Sequence, residues 1–196
     1  MGLCKSKQAH TKVGPQAEKV EGGPRIGSGT AAMRQKYKID FSGRGTLGSG
    51  AYSTVYRCQL ADASEEERAV KVIKLGQMAA DELTALKVEV EILRQTDHPN
   101  VLALYDYFED DLKSSDEPKA YIVTELLRGG ELFDRIVERT YYSECEARKV
   151  IQILLDVMTH LHQKSIAHRD LKPENLLLKS EKDDHSLKVA DFGKTF

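Results

Sequence analysis

The chain has no tryptophan, only five prolines and only three cysteines in 196 residues. Cys4, Cys58 and Cys145 stand at unrelated spacings, which excludes a disulfide framework and a zinc knuckle. An excess of charge is also missing: 29 Lys and Arg face 31 Asp and Glu, a net of −2. A dedicated nucleic-acid binder carries a basic surplus, so nucleic acid is not an expected partner. No apolar run approaches the ~20 residues that a membrane-spanning helix needs. No secretory apolar segment opens the sequence, so a reducing, cytoplasmic compartment is expected. What is present, 40% hydrophobic and 31% charged residues, is the balance of a chain that folds in water.

The charge is unevenly spread. Residues 1–46 hold nine basic and three acidic side chains, and residues 47–196 hold 20 and 28. Before Met33 the large apolar residues are Leu3, Val13, Val20 and Ile26, set among Gly14-Pro15 and Gly22-Gly23-Pro24. Such a segment buries too little to offset the entropy of ordering, so residues 1–36 are expected to form a flexible basic arm. Its start, Met1-Gly2-Leu3-Cys4-Lys5-Ser6, fits N-myristoylation at Gly2, and Cys4 offers a palmitoylation site. Two acyl groups hold a membrane surface where one is marginal. The bland alternative is a chance Met-Gly start.

A glycine-bearing turn follows. Leu47-Gly48-Ser49-Gly50-Ala51-Tyr52-Ser53-Thr54-Val55-Tyr56 precedes Ala69-Val70-Lys71-Val72-Ile73, and both alternate as strands do. Glycines without Cβ let backbone N–H groups approach phosphate oxygens, although a plain hairpin turn fits the same residues. Met78 to Gln95 places Leu83, Leu86, Val90 and Leu93 at helical spacing.

The decisive stretch is His168-Arg169-Asp170-Leu171-Lys172-Pro173-Glu174-Asn175, followed by Asp191-Phe192-Gly193. With the glycine turn and Lys71 ahead of it in order, the chain resembles the eukaryotic protein kinases. The resemblance covers about Tyr37 to Phe196 and implies an α+β, bilobal fold. It divides the chain into the arm (1–36), an N-lobe of antiparallel sheet plus one helix (37–124), and an incomplete helical C-lobe (125–196).

The resemblance implies roles for named residues. Asp170 orients a substrate hydroxyl and accepts its proton, and Lys172 neutralises the transferring phosphoryl group. Lys172 also marks the serine/threonine type. Asn175 and Asp191 hold Mg²⁺ on the phosphates of ATP. Lys71 meets the phosphates and is held by Glu89 on the helix. Leu47, Gly48, Ser49, Gly50, Ala51, Tyr52 and Ser53 cover the nucleotide, and Ser53 stands where many relatives have a third glycine. Val55, Ala69 and Leu177 sandwich the adenine, Thr124 is a small gatekeeper, and Glu125 and Leu127 offer hinge backbone groups. Leu93, Leu104, His168 and Phe192 form a regulatory stack.

Gly129-Gly130-Glu131-Leu132-Phe133-Asp134 resembles the segment after the hinge in calcium/calmodulin-dependent kinases. Glu131 then contacts ribose and a substrate arginine, with Glu174 adding negative field, or Glu131 is simply a first-turn helix acid. Protein substrates with basic, Arg-containing sites follow from the first reading. A calcium sensor is a partner the resemblance allows, and no EF-hand spacing occurs in the chain. Cys58 and Cys145 read as small packing residues. Three residues follow Gly193, so the activation segment and later helices of the family are not in this sequence. The helix around Val150 to Leu161 is expected to turn an apolar side to water. A catalytically incompetent fragment that binds nucleotide or a partner protein is the alternative to a working kinase.

Overall fold

The computed structural model describes residues 25–62, 65–139 and 141–192. Gly2, Cys4 and the rest of residues 1–24 lie outside the described residues, as do residues 193–196. The larger sheet contains β1 (Arg25–Ser28), β2 (Tyr37–Ile39), β3 (Thr46–Ser49), β4 (Ser53–Leu60), β5 (Glu67–Lys74), β6 (Leu104–Glu109) and β7 (Lys119–Glu125). Its order is β1-β6-β7-β5-β4-β2, with β3 on β4. Every pairing is antiparallel except β1 on β6.

Strand alternation builds a core on each face of this sheet. Ile73 of β5 joins the inner cluster, while its neighbours Val70 and Val72 join the outer one. The inner face is covered by α2 (Ala80–Gln95), whose Leu86, Val90 and Leu93 are buried. Their 3–4-residue spacing makes one apolar stripe, as the sequence predicts. Glu82 reaches back to accept the Ala79 N–H at 2.8 Å, and Asp81 and Glu82 place negative charge in the first turn. Thr96 closes the other end with its hydroxyl on Ile92 O at 2.7 Å.

Below the sheet lie α3 (Leu132–Glu138), α4 (Glu144–Gln163) and a hairpin of β8 (Leu176–Ser180) with β9 (Asp183–Val189). A reciprocal capping box starts α4: Glu146 N–H donates to Ser143 Oγ at 3.3 Å and Ser143 N–H donates to Glu146 Oε2 at 2.9 Å. Val157 and Leu161 of α4 are fully buried and join the inner cluster, which thus runs without a break from α2 to the hairpin. Each such side chain stabilises by about 1.5–3 kcal/mol through burial. The opposite side of α4 faces water, with Ile151 53% and Leu155 62% exposed, as expected for an apolar helix covered on one side. Among the described residues no helix is long and apolar enough to cross a membrane.

Three sequence expectations are corrected. Residues 25–36 are not a flexible arm but β1 and a helix, α1 (Gly29–Lys36). Met33 is 1% exposed in the outer cluster, Thr30 Oγ1 donates to Asp110 Oδ2 at 2.7 Å, and Lys36 Nζ lies 2.6 Å from Asp106 Oδ2. A segment poor in apolar residues is ordered by one buried side chain and anchors 70–80 residues away. The upper lobe therefore carries two helices and a parallel edge strand. Cys145 does not pack; it is exposed in the first turn of α4, whereas Cys58 is buried.

Candidate active site

The glycine turn joins β3 to β4. Gly50 N–H donates to Ser53 O at 2.7 Å and closes the turn over Ala51 and Tyr52. Leu47, Gly48, Ser49, Gly50, Ala51 and Tyr52 are all exposed. A methyl group at Gly48 would meet no atom within 4 Å, so its backbone is open to a ligand.

The β5 register brings the next residues together. Lys71 pairs with Val55 on one side and Ile122 on the other, and Ala69 pairs with Thr124. Ala69 and Thr124 are buried, while Val55 and Ser53 are half-buried. Lys71 Nζ lies 3.7 Å from Glu89 Oε1, so the expected ion pair is formed across sheet and helix. Burial pushes the Glu89 carboxyl above its ordinary value; Lys71 opposes that rise and the charge of Asp191 adds to it. Asp191, 102 positions along the chain, therefore comes close enough to act on Glu89.

The catalytic loop is tied together by its own side chains. Asn175 Nδ2 donates to Asp170 O at 2.7 Å and Oδ2 at 3.3 Å, and Lys172 Nζ lies 3.2 Å from Asp170 Oδ2. The hydrogen bond to Asp170, then its charge, holds the Lys172 ammonium above its usual range, with Glu174 and Asp191 adding. Pro173 starts the 3₁₀ turn Pro173–Asn175, where its missing N–H is not needed, and the turn buries Asn175 at 6% exposure. Glu174 in the same turn is exposed. Arg169 and Asp191 have φ of 59° and 61°, a left-handed backbone that costs about 1–3 kcal/mol at a non-glycine residue. Surroundings hold them there: His168 Nε2 sits 3.2 Å from Ala190 O, and its ring lies 4.8 Å from that of Phe192. Leu93, Leu104, His168 and Phe192 are all buried, as the stack requires.

The hinge follows β7. Glu125 N–H donates to Ala103 O at 3.1 Å, and its carbonyl accepts from Thr124 Oγ1 at 3.3 Å. Leu127 is half-buried. Leu177 of β8 bridges to Glu131, so the lower wall of the cleft meets the start of α3. Glu131 is the N-cap residue of α3, and its side chain makes no capping bond. Gly129 is buried; a Cβ there would stand 2.5 Å from Leu178 Cβ and 2.6 Å from Ser180 O, so only glycine fits.

The sequence reading missed one feature. The Glu125 side chain turns behind the hinge, where Lys188 Nζ lies 2.5 Å from Oε1 and Lys179 Nζ 3.4 Å from Oε2. Strand alternation does not flag this group, because Lys188 follows Leu187 and precedes Val189 and all three are buried.

Comparison with known proteins agrees with this geometry. The family model described as protein kinase domain matches residues 41–195. Myosin light chain kinase A of Dictyostelium discoideum is 43% identical over 148 residues, which is 75% of this chain and 48% of that protein. Human calcium/calmodulin-dependent protein kinase type IV is 39% identical over 175 residues, 84% of this chain and 35% of that protein. The Drosophila melanogaster calcium/calmodulin-dependent protein kinase type II alpha chain is 42% identical over 147 residues, 75% of this chain and 26% of that protein. The chain thus spans less than half the length of each of these relatives. With the family model covering most of the chain, and with the paired Lys71 and Glu89 above a closed Asp170–Asn175 loop, the chain belongs to the protein kinase domain family.

Proposed function

We propose that this chain carries the nucleotide cleft and catalytic loop of an ATP-dependent serine/threonine protein kinase of the calcium/calmodulin-dependent type, acting on basic, Arg-containing sites. One observation carries the reading: the Lys71–Glu89 pair is formed in the same structure in which Asn175 and Lys172 both hold Asp170. Phosphoryl transfer depends on positioning and charge neutralisation, and these contacts supply both.

Bound Mg²⁺ supplies charge neutralisation on the nucleotide phosphates. Asn175 and Asp191 offer it hard oxygen donors, which suit an ion that keeps waters and phosphate oxygens in its shell. Lys71 holds the phosphates of ATP, and Glu89 keeps its ammonium in place. Asp170 orients the substrate hydroxyl and takes its proton as the new P–O bond forms. Lys172 compensates the charge of the moving phosphoryl group. Glu131 and Glu174 give the cleft mouth a negative field that favours a substrate arginine, and such complementarity sets specificity and encounter rate. We also propose that acylation at Gly2 and Cys4 holds the protein at a membrane surface.

The test is transfer of labelled phosphate from ATP to a peptide with arginine three residues before serine. Transfer should vanish in Asp170→Asn and fall at least tenfold when the peptide arginine becomes alanine. Transfer that survives Asp170→Asn, or ignores the arginine, sinks the corresponding half of the proposal.

A further inference from the structure

A cavity of about 220 Å³ lies on the outer face of the larger sheet, between α1 and the glycine turn. Met33 and Arg34 of α1 form one wall, and Gly50, Ala51, Tyr52 and Ser53 form another. Tyr56, Val72 and Tyr121 of β4, β5 and β7 lie between them. The turn is held to the sheet at this point: Lys74 N–H donates to Tyr52 O at 2.9 Å, and Gly50 N–H to Ser53 O at 2.7 Å. An apolar cavity of about 150 Å³ holds benzene, and pockets for drug-sized ligands begin near ~300 Å³. The space between those limits suits one ring with a single substituent.

The charge around this space is of one sign. Arg34, Lys74 and Lys119 border it, and among the described residues no Asp or Glu lines it. Yet residues 47–196 hold 28 acids against 20 bases. Arg34 and Lys74 are exposed and form no ion pair among the described residues. Lys119 Nζ lies 3.5 Å from Glu117, an exposed acid outside the cavity. Asp110, the other acid beside Lys119, is occupied: it accepts from Thr30 N–H, Thr30 Oγ1 and Lys119 N–H. Cations gathered without an acid repel one another, and an anion among them turns that repulsion into attraction. Aromatic surface stands open beside them: Phe41 is 64% exposed and meets Tyr56 edge-on, with ring centres 5.1 Å apart.

We propose that this cavity is a binding site for a small aromatic phosphate ester, with its ring against Phe41 and Tyr56 and its phosphate among Arg34, Lys74 and Lys119. The Arg34 guanidinium offers a planar fork that fits two phosphate oxygens, and each lysine adds a compact charge. The ligand ring adds edge or offset contact with the two aromatic side chains. Occupancy reaches the nucleotide cleft through the wall the two sites share. Gly50, Ala51, Tyr52 and Ser53 line the cavity and, in the function proposed above, cover the nucleotide. A ligand that holds them in one arrangement changes nucleotide affinity, and by linkage the nucleotide changes the ligand's affinity by the same factor. That coupling rests on the proposed function; the site itself does not.

The experiment titrates the full 196-residue chain, carbon-13 labelled at its methionine methyls, with phenyl phosphate. Met33 lines the cavity, whereas Met78 and Met158 pack against the inner cluster and serve as references. The expected result is a saturable shift of the Met33 methyl with the two references still. Affinity should fall roughly tenfold or more when Arg34→Ala and Lys74→Ala are combined, as expected for lost charged hydrogen bonds. Inorganic phosphate and phenol, each half of the probe, should bind as much more weakly. Mg²⁺ with ATP should change the phenyl phosphate affinity roughly fivefold or more, and should not do so in Asp191→Ala. A still Met33 methyl, an affinity indifferent to the two cations, or equal binding of phosphate or phenol alone overturns the site. If calorimetry shows ATP bound while the phenyl phosphate affinity stays fixed, the coupling is overturned. Phenyl phosphate bound at Met33 by a chain that does not bind ATP counts against the proposed function and supports the site.

Discussion

Lys188 Nζ lies 2.5 Å from Glu125 Oε1, tying the lower hairpin to the end of β7 at the hinge. Both side chains are nearly buried, at 10% and 7% exposure. Glu125 Oε1 also accepts the Ala103 N–H at 3.0 Å, and Lys188 Nζ donates to Val101 O at 3.3 Å. Breaking a buried pair from one side strands a charge, which costs more than removing both partners. Lys188→Met should therefore destabilise the chain, by less than the roughly 3 kcal/mol of a fully stranded charge because Lys179 still lies 3.4 Å from Glu125 Oε2, and adding Glu125→Gln should recover part of that loss. A double-mutant cycle in urea measures the coupling. Additive effects would mean that the pair does not lock the hinge.

Met33 tests whether residues 25–36 are part of the fold. It is 1% exposed, and its helix covers the outer cluster. Met33→Ala should cost about 2–5 kcal/mol, the range for a large-to-small change in a core. Equilibrium unfolding reads the value directly. A cost near zero would restore the flexible arm that composition suggests.

The Lys71–Glu89 pair has a pH signature. Burial raises the Glu89 carboxyl above the ordinary value of about 4.3, and Lys71 opposes the rise. A group with a raised folded pKa takes up a proton on folding, so its contribution favours the fold at low pH and is lost as pH climbs through the folded value. Lys71→Met removes the opposing charge, so the Glu89 titration should move further up. Carboxyl-carbon NMR of Glu89 measures this, and an unchanged or lowered midpoint would show that Lys71 does not act on it.

The two described cysteines should differ in reactivity. Cys58 is 1% exposed, and burial pushes its thiol up to about 12, so little nucleophilic thiolate exists near neutral pH. Cys145 is exposed at the start of α4. Alkylation of native protein with peptide mapping should label Cys145 within minutes and leave Cys58 unlabelled until the chain unfolds. Equal labelling rates would contradict the packing of the outer cluster.

Much of the site was legible through the resemblance to the protein kinases, which is carried by short local motifs. The His168 to Asn175 loop closes on itself within five residues, from Asn175 back to Asp170. Glu89 is legible only through the resemblance to the protein kinases, and it is buried on α2 beside the apolar stripe. What escaped depends on partners remote in sequence. Thr30 finds Asp110 80 positions on, and Lys36 finds Asp106 70 positions on, so no local pattern marks that segment as ordered. Lys188 sits in a run buried throughout, where strand alternation has no exposed face to show. Cys145 follows a cap residue that fixes the helix start, and the start alone does not tell which side of the first turn meets water.

Calorimetric titration of the chain with ATP, with and without Mg²⁺, probes the assembled cleft most directly. Lys71, Glu89, Asn175 and Asp191 in one site predict saturable binding of a single nucleotide that weakens at least tenfold without Mg²⁺ and in Asp191→Ala. No binding, or binding indifferent to both Mg²⁺ and Asp191, would contradict a nucleotide cleft built from these residues.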